Sequence, residues 1–167
     1  MSRTFLLVVL SVWSISLFSQ CDAPTLPKEV NFESKADYRS KDAAVRNCLE
    51  WLVSTSLDLC TEERDQLNAY VLVWLSGHPD ITVDVNSDAM PFFRSNPELL
   101  YPMLHGMAIY QMETPKEELN SIDAHVAGIE AVLDVISDKT LLRTDQFKKL
   151  KKLRRKGKLS KFVASEI

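Results

Sequence analysis

Apolar positions recur with a helical period over most of the chain. Val45, Cys48, Leu49 and Leu52 fall at i, i+3, i+4 and i+7, one face of a 3.6-residue turn, and predict a first helix over 34–53. STSLDL (54–59) breaks that pattern. Thr61 then offers an N-cap oxygen, with Glu62 and Glu63 in a first turn whose free N–H groups favour carboxylates. This second helix carries Leu67, Tyr70, Val71, Trp74 and Leu75 on one face, and Gly77 and Pro79 stop it. Asn96 followed by Pro97 opens a third, with Leu100, Met103, Leu104, Met107 and Tyr110 inward. TPKE (114–117) reads as a capping box. It predicts a fourth helix to about Ile136, with Leu119, Ile122, Val126, Ile129, Leu133 and Ile136 inside. The short break between the third and fourth predicts an antiparallel hairpin. Thr144 begins a basic helix with Phe147, Leu150 and Leu153 inward; Gly157 ends it, and LSKFVASEI adds a last turn or two.

One stretch has another period. DITVDVNSD (80–88) alternates strictly, with Ile81, Val83 and Val85 on one side and polar residues on the other, so it predicts an extended segment. The sequence offers it no partner strand, and it is expected to lie as a strap across the helices. Only four glycines occur, too few for a sandwich of many tight turns. The expected fold is therefore all-α: a compact bundle of four to six helices with one short extended segment near 80–86.

The start of the chain changes the picture of where it works. Arg3 precedes an uncharged run, Thr4 to Phe18, that is shorter than the roughly 20 residues a bilayer span needs and reads as a signal peptide over 1–19. Two endings compete. Cutting after Ser19 leaves Gln20 first; alternatively Cys21 is the lipidated first residue of a lipoprotein, although Gln20 stands where a small residue is usual. Residues 20–33 follow as a leader or tether, and 34–167 as a single helical domain. Export makes disulfides permissible. The mature chain holds Cys21, Cys48 and Cys60, an odd number. Cys48 and Cys60 are the expected pair, or else both are buried thiols; Cys21 is left over, which a lipid on Cys21 would explain.

Charge is unevenly spread. Residues 22–140 carry 9 basic and 21 acidic side chains, net −12, whereas residues 141–167 carry 10 basic and 2 acidic, net +8. Lys148, Lys149, Lys151, Lys152, Arg154, Arg155 and Lys156 make the densest cluster. Such a surface suits an anionic partner, such as envelope phosphates. It also suits docking on the acidic body. Nucleic acid is disfavoured by export and by the lack of aromatic platforms among the cations.

No motif supplies catalysis. DVNSD (84–88) begins like a calcium loop but has Ala89 and Ser95 where such a loop needs Gly and Glu. His105 and His125 lie 9 residues before and 11 after Thr114, about 14 and about 17 Å along antiparallel helices, so nearly level. With Asp123 they form the candidate metal or proton-transfer site, without any of the usual ligand spacings. His78 beside Asp80 in GHPD (77–80) is read as a structural turn. No residue set requires a cofactor, and no glycine-rich phosphate loop is present.

NAYVLVWLSGHPDITV (68–83), NPELLYPMLHGMAIYQME (96–113), AGIEAVLDV (127–135) and KKLRRKGKLSKFV (151–163) resemble a group of small exported helical proteins of the Bacteroidota. The resemblance covers about residues 35–165. It implies export and a mature N-terminal Gln, and it carries no activity, cofactor or functional residue. The expectation is a non-enzymatic periplasmic or secreted binding or interaction protein whose partner is an unidentified protein or envelope component. The alternatives are a lipid-anchored outer-membrane component acting in assembly and a metal-dependent enzyme using His105 and His125.

Overall fold

The computed structural model describes residues 21–27, 31–83, 96–136 and 145–167. The predicted signal segment, the calcium-like stretch from Asp84 to Ser95 and Thr144 lie outside the described residues. Those residues form seven α-helices: α1 (Lys35–Ser40), α2 (Asp42–Ser54), α3 (Thr61–Gly77), α4 (Leu100–Glu113), α5 (Ser121–Val135), α6 (Asp145–Arg155) and α7 (Leu159–Glu166). The fold is all-α, and none of the described helices is long and apolar enough to cross a membrane.

The predicted first helix is divided at Lys41. Ser34 and Asp37 make a reciprocal capping box that starts α1. At Lys41 the ladder tightens, its N–H reaching back to the Tyr38 carbonyl at 3.0 Å. That same carbonyl accepts the Trp74 indole N–H at 3.1 Å, so the break serves the packing of α1 on α3. Helix α3 runs as predicted from Thr61 to Gly77, but Thr61 is not its cap. The cap position is Cys60, left-handed at φ 53°, with no side-chain cap bond.

Asn96 and Pro97 open a 3-10 turn, Pro97–Leu99, that leads into α4. The predicted box at 114–117 also differs. Pro115 is extended, a 3-10 turn occupies Lys116–Glu118, and α5 starts only at Ser121. Asn120 caps it by accepting the Asp123 N–H at 2.8 Å. Helices α4 and α5 are the antiparallel hairpin expected. Gly106 faces Ala127 and Ala131, Gly128 faces Met103, and Tyr110 meets Asn120, so the residue numbers run in opposite senses. The two glycines let the backbones close: a Cβ on Gly106 would stand 2.5 Å from the Ala127 carbonyl oxygen.

Residues 81–83 belong to no helix, and among the described residues no strand pairs with them. Gln111 does instead. Its Oε1 accepts the Thr82 N–H at 3.0 Å and its Nε2 donates to the Thr82 carbonyl at 2.7 Å, as a neighbouring strand would. Ile81 is buried beneath. The rest of the predicted strap, 84–86, lies outside the described residues.

Two apolar cores result. One joins Val45, Leu49 and Leu52 of α2 to Leu67, Val71 and Trp74 of α3. The other joins Met103 and Met107 of α4 to Ile129, Val132 and Leu133 of α5 and to Phe147, Leu150, Leu159 and Val163 of α6 and α7.

Candidate functional site: the basic helical hairpin

Helices α6 and α7 form the site with the strongest charge. The sequence of α6 has Phe147 and Leu150 on one side and lysines nearly everywhere else, so only one side can be buried. Gly157 (φ 61°) ends α6 in a Schellman motif. The Lys158 N–H bonds the Leu153 carbonyl and the Gly157 N–H bonds the Arg154 carbonyl, both at 3.0 Å. The chain then turns into α7, which buries Leu159 and Val163.

The hairpin docks on α5, as one reading of its charge anticipated, but apolar contact holds it there. Its four buried side chains share a core with Leu99, Met103 and the inner face of α5. Arg154 adds an ion pair with Asp134 of α5. Lys148 pairs locally with Asp145 at 3.1 Å, and the Lys149 ammonium sits 4.7 Å from the Phe162 ring centre. Lys151 is half-buried. Lys152, Arg155 and Lys156 point outward, and the structure adds Lys158 and Lys161 to them; all five are exposed. None of these five pairs with an acid among the described residues.

The three cysteines pair differently from expectation. Cys21 is bonded to Cys60, and Cys48 is the free, buried thiol. The expected Cys48–Cys60 bond is therefore corrected, because Cys48 faces the α2–α3 core. The lipidation of Cys21 is corrected with it: a sulfur engaged in a disulfide cannot also carry a thioether lipid. Burial pushes the Cys48 thiol up to about 11, which keeps it protonated and unreactive. Within the predicted leader or tether over 20–33, residues 21–27 lie as a strap, with Ala23 and Leu26, and Phe32 further along, packed against the α2–α3 core.

The two helix histidines share no site. His105 is 1% exposed and packs toward Arg64 of α3; burial, helped by the Arg64 charge, pulls it down to about 3. His125 instead hydrogen-bonds its own helix, Nδ1 to the Ser121 carbonyl at 2.8 Å. Asp123 is held by Asn120 at the helix start. Among the described residues one group of three potential metal ligands lies within 4.8 Å, Cys21, Cys60 and Glu63, and its sulfurs are joined to each other rather than available as thiolates.

GHPD is a clasp. His78 Nδ1 accepts the Asp80 N–H at 3.1 Å, which leaves Nε2 protonated and donating to Asp42 at 3.1 Å. Both ring nitrogens are occupied. Asp80 bridges Arg39 at 2.7 Å and Lys116 at 2.6 Å, and these partners hold its carboxyl far below the usual range. The adjoining cleft, about 630 Å³, also contains Arg46, which pairs with Glu113. Its cations each face an acid, so the cleft offers no surplus charge to a ligand.

Sequence reasoning missed Arg64. It is buried and donates to the Leu52, Thr55 and Ser56 carbonyls, closing the C-terminus of α2, with Trp51 beneath its guanidinium at 5.6 Å. Its one signal in the sequence is position: a charge three residues before Leu67 on the inner face of α3.

The chain is thus an all-α protein with a docked basic hairpin. No protein family, no characterised protein and no solved structure matches it.

Proposed function

We propose that this is an exported, non-enzymatic interaction protein that uses the α6–α7 hairpin to bind an anionic surface of the cell envelope. The observation that carries the reading is the disposition of the hairpin. Its apolar side is consumed by docking, and five exposed cations remain on the outside. A charged surface of this kind draws an anionic partner through long-range attraction and needs no pocket. The Cys21–Cys60 disulfide supports a location outside the reducing cytosol, as do the signal-like residues 1–19 and the resemblance to exported Bacteroidota proteins.

The test is sedimentation with lipid vesicles. Vesicles rich in phosphatidylglycerol should pull the protein down at low salt, pure phosphatidylcholine should not, and added salt should release it. Replacing Lys152, Arg155, Lys156, Lys158 and Lys161 together by Gln should abolish the pull-down while leaving the helical content intact. Equal binding to both vesicles, or binding that survives the replacement, removes the hairpin from the reading. The intact mass of the protein from its native host tests export: it should begin at Gln20 and rise by about two daltons on reduction, the mass of the two hydrogens gained by one disulfide.

A further inference from the structure

The bridge between Cys21 and Cys60 has a third member. A carboxylate oxygen of Glu63 and the two sulfurs all lie within 4.8 Å of one another. Cys60 stands at the cap position of α3 and Glu63 in the first turn of that helix, while Cys21 arrives on the strap. Each of the three residues keeps part of its surface in solvent.

Opening the bridge changes what this group offers. A dithiol reductant breaks the S–S bond and becomes a disulfide itself; its two electrons and two protons pass to the protein, leaving two thiols. Two thiols beside a carboxylate suit zinc, which takes Cys sulfur at about 2.3 Å and carboxylate oxygen at about 2.0–2.2 Å. On a tetrahedral ion two such sulfurs stand about 3.8 Å apart. The Cα atoms of Cys21 and Cys60 are 5.8 Å apart, so rotation about the Cα–Cβ bonds parts the sulfurs that far with the backbone in place.

The surroundings favour the ion. Ala23 and Leu26 pack against the α2–α3 core whether or not the bridge is closed, and this keeps Cys21 near Cys60. The second sulfur therefore binds at high effective concentration. Cys60 is held by its own carbonyl, which accepts the Arg64 N–H at 2.9 Å. Residues 21–27 and 55–63 carry Asp22, Asp58, Glu62 and Glu63 and no Lys or Arg, so the local charge draws a cation. Thiolates exclude calcium and magnesium, and the mixed sulfur and oxygen set selects zinc over copper(I).

We propose that reduction of the Cys21–Cys60 bridge creates a zinc site, with Cys21, Cys60 and Glu63 as ligands and water in the fourth position. Zinc displaces the two thiol protons as it binds. The ion then ties the strap to the head of α3 as the disulfide did, so metal and disulfide are alternative staples at one place. This site is separate from the basic hairpin and does not depend on the reading given to that surface.

The test uses the full chain, reduced with a phosphine, freed of it without oxygen, and titrated with cobalt(II), whose thiolate complexes absorb in the near ultraviolet. The reduced protein should take up one cobalt with a thiolate charge-transfer band, and zinc should displace it. The oxidised protein should show no band. Cys60→Ser should abolish the band and Cys48→Ser should leave it. Glu63→Gln should weaken binding about 10-fold or more, since even groups that only support a metal's ligands are worth that much. A reduced chain that loses helical content should regain it with zinc, because binding free energy is then folding free energy. Absence of a cobalt band in the reduced protein overturns the site. So does a band that Cys48→Ser removes, Glu63→Gln binding as tightly as the unaltered protein, or lost helical content that zinc does not restore.

Discussion

The two cores hold together by different means. Beneath α1–α3 the apolar side chains are threaded with polar anchors: Arg64 on three carbonyls, Trp74 on Tyr38, His78 on Asp42, and a disulfide from the strap to the head of α3. Beneath α5–α7 the contact is apolar, from Ile129, Val132 and Leu133 to Phe147, Leu150 and Val163. The difference follows from chain geometry. The first half must order an irregular strap and the short connection 55–60, whose backbone groups need partners. The second half packs regular helices that satisfy their own backbones, so their outer faces are free to carry charge.

Breaking the covalent anchor should have the largest effect. The Cys21→Ser, Cys60→Ser double variant opens a bridge spanning 39 residues, which chain entropy values at about 4 kcal/mol. Urea unfolding should show that loss, and hydrogen exchange should place the first opening in α1–α3. A uniform loss of protection across both cores would show that they are one cooperative unit. Arg64→Leu comes next, at about 3 kcal/mol, because it strands buried carbonyls at the end of α2. A loss below about 1 kcal/mol would mean that water reaches those carbonyls, and the contrast between the cores would fade.

Acid sharpens the comparison further. His105 resists protonation down to about pH 3 in the folded protein, whereas an unfolded histidine takes its proton near 6.5. The unfolded state therefore binds more protons as pH falls between those values, and stability declines through that window. The slope approaches about 1.4 kcal/mol per pH unit well below 6.5. Thermal melts at stepped pH should show the decline, and His105→Gln should flatten it. The smallest effect belongs to the other half. Replacing the five exposed cations of α6 and α7 by Gln should change stability by about 0.5 kcal/mol or less per site, because none of them takes part in the packing.

Much of this architecture is written in local signals. The span of α3, the inward residues of α6 and the stop at Gly157 all follow from periodicity and capping chemistry. Where two local signals compete, the apolar pattern decides. Thr114 and Glu117 form a plausible cap, but Asn120 and Asp123 form another, and only the second stands directly before the run Ile122, Val126, Ile129, Leu133. Contacts between distant segments were not legible. The pairing of Cys21 with Cys60 depends on Ala23 and Leu26 packing against the α2–α3 core, which no spacing encodes. The level placement of His105 and His125 along their helices was a sound inference from chain length, but it says nothing about rotation about each helix axis. One ring packs toward Arg64 and the other lines a cavity.

The bridge from Cys21 to Cys60 also sets how the molecule transmits force. Any pull applied upstream of Cys21 passes through the two sulfurs to the head of α3 and bypasses residues 22–59, including α1 and α2. Those helices lie in a slack loop, parallel to a covalent bond that takes the tension. A chain held at its N-terminal end would keep its α2–α3 core under a pull that would peel an unbridged strap away.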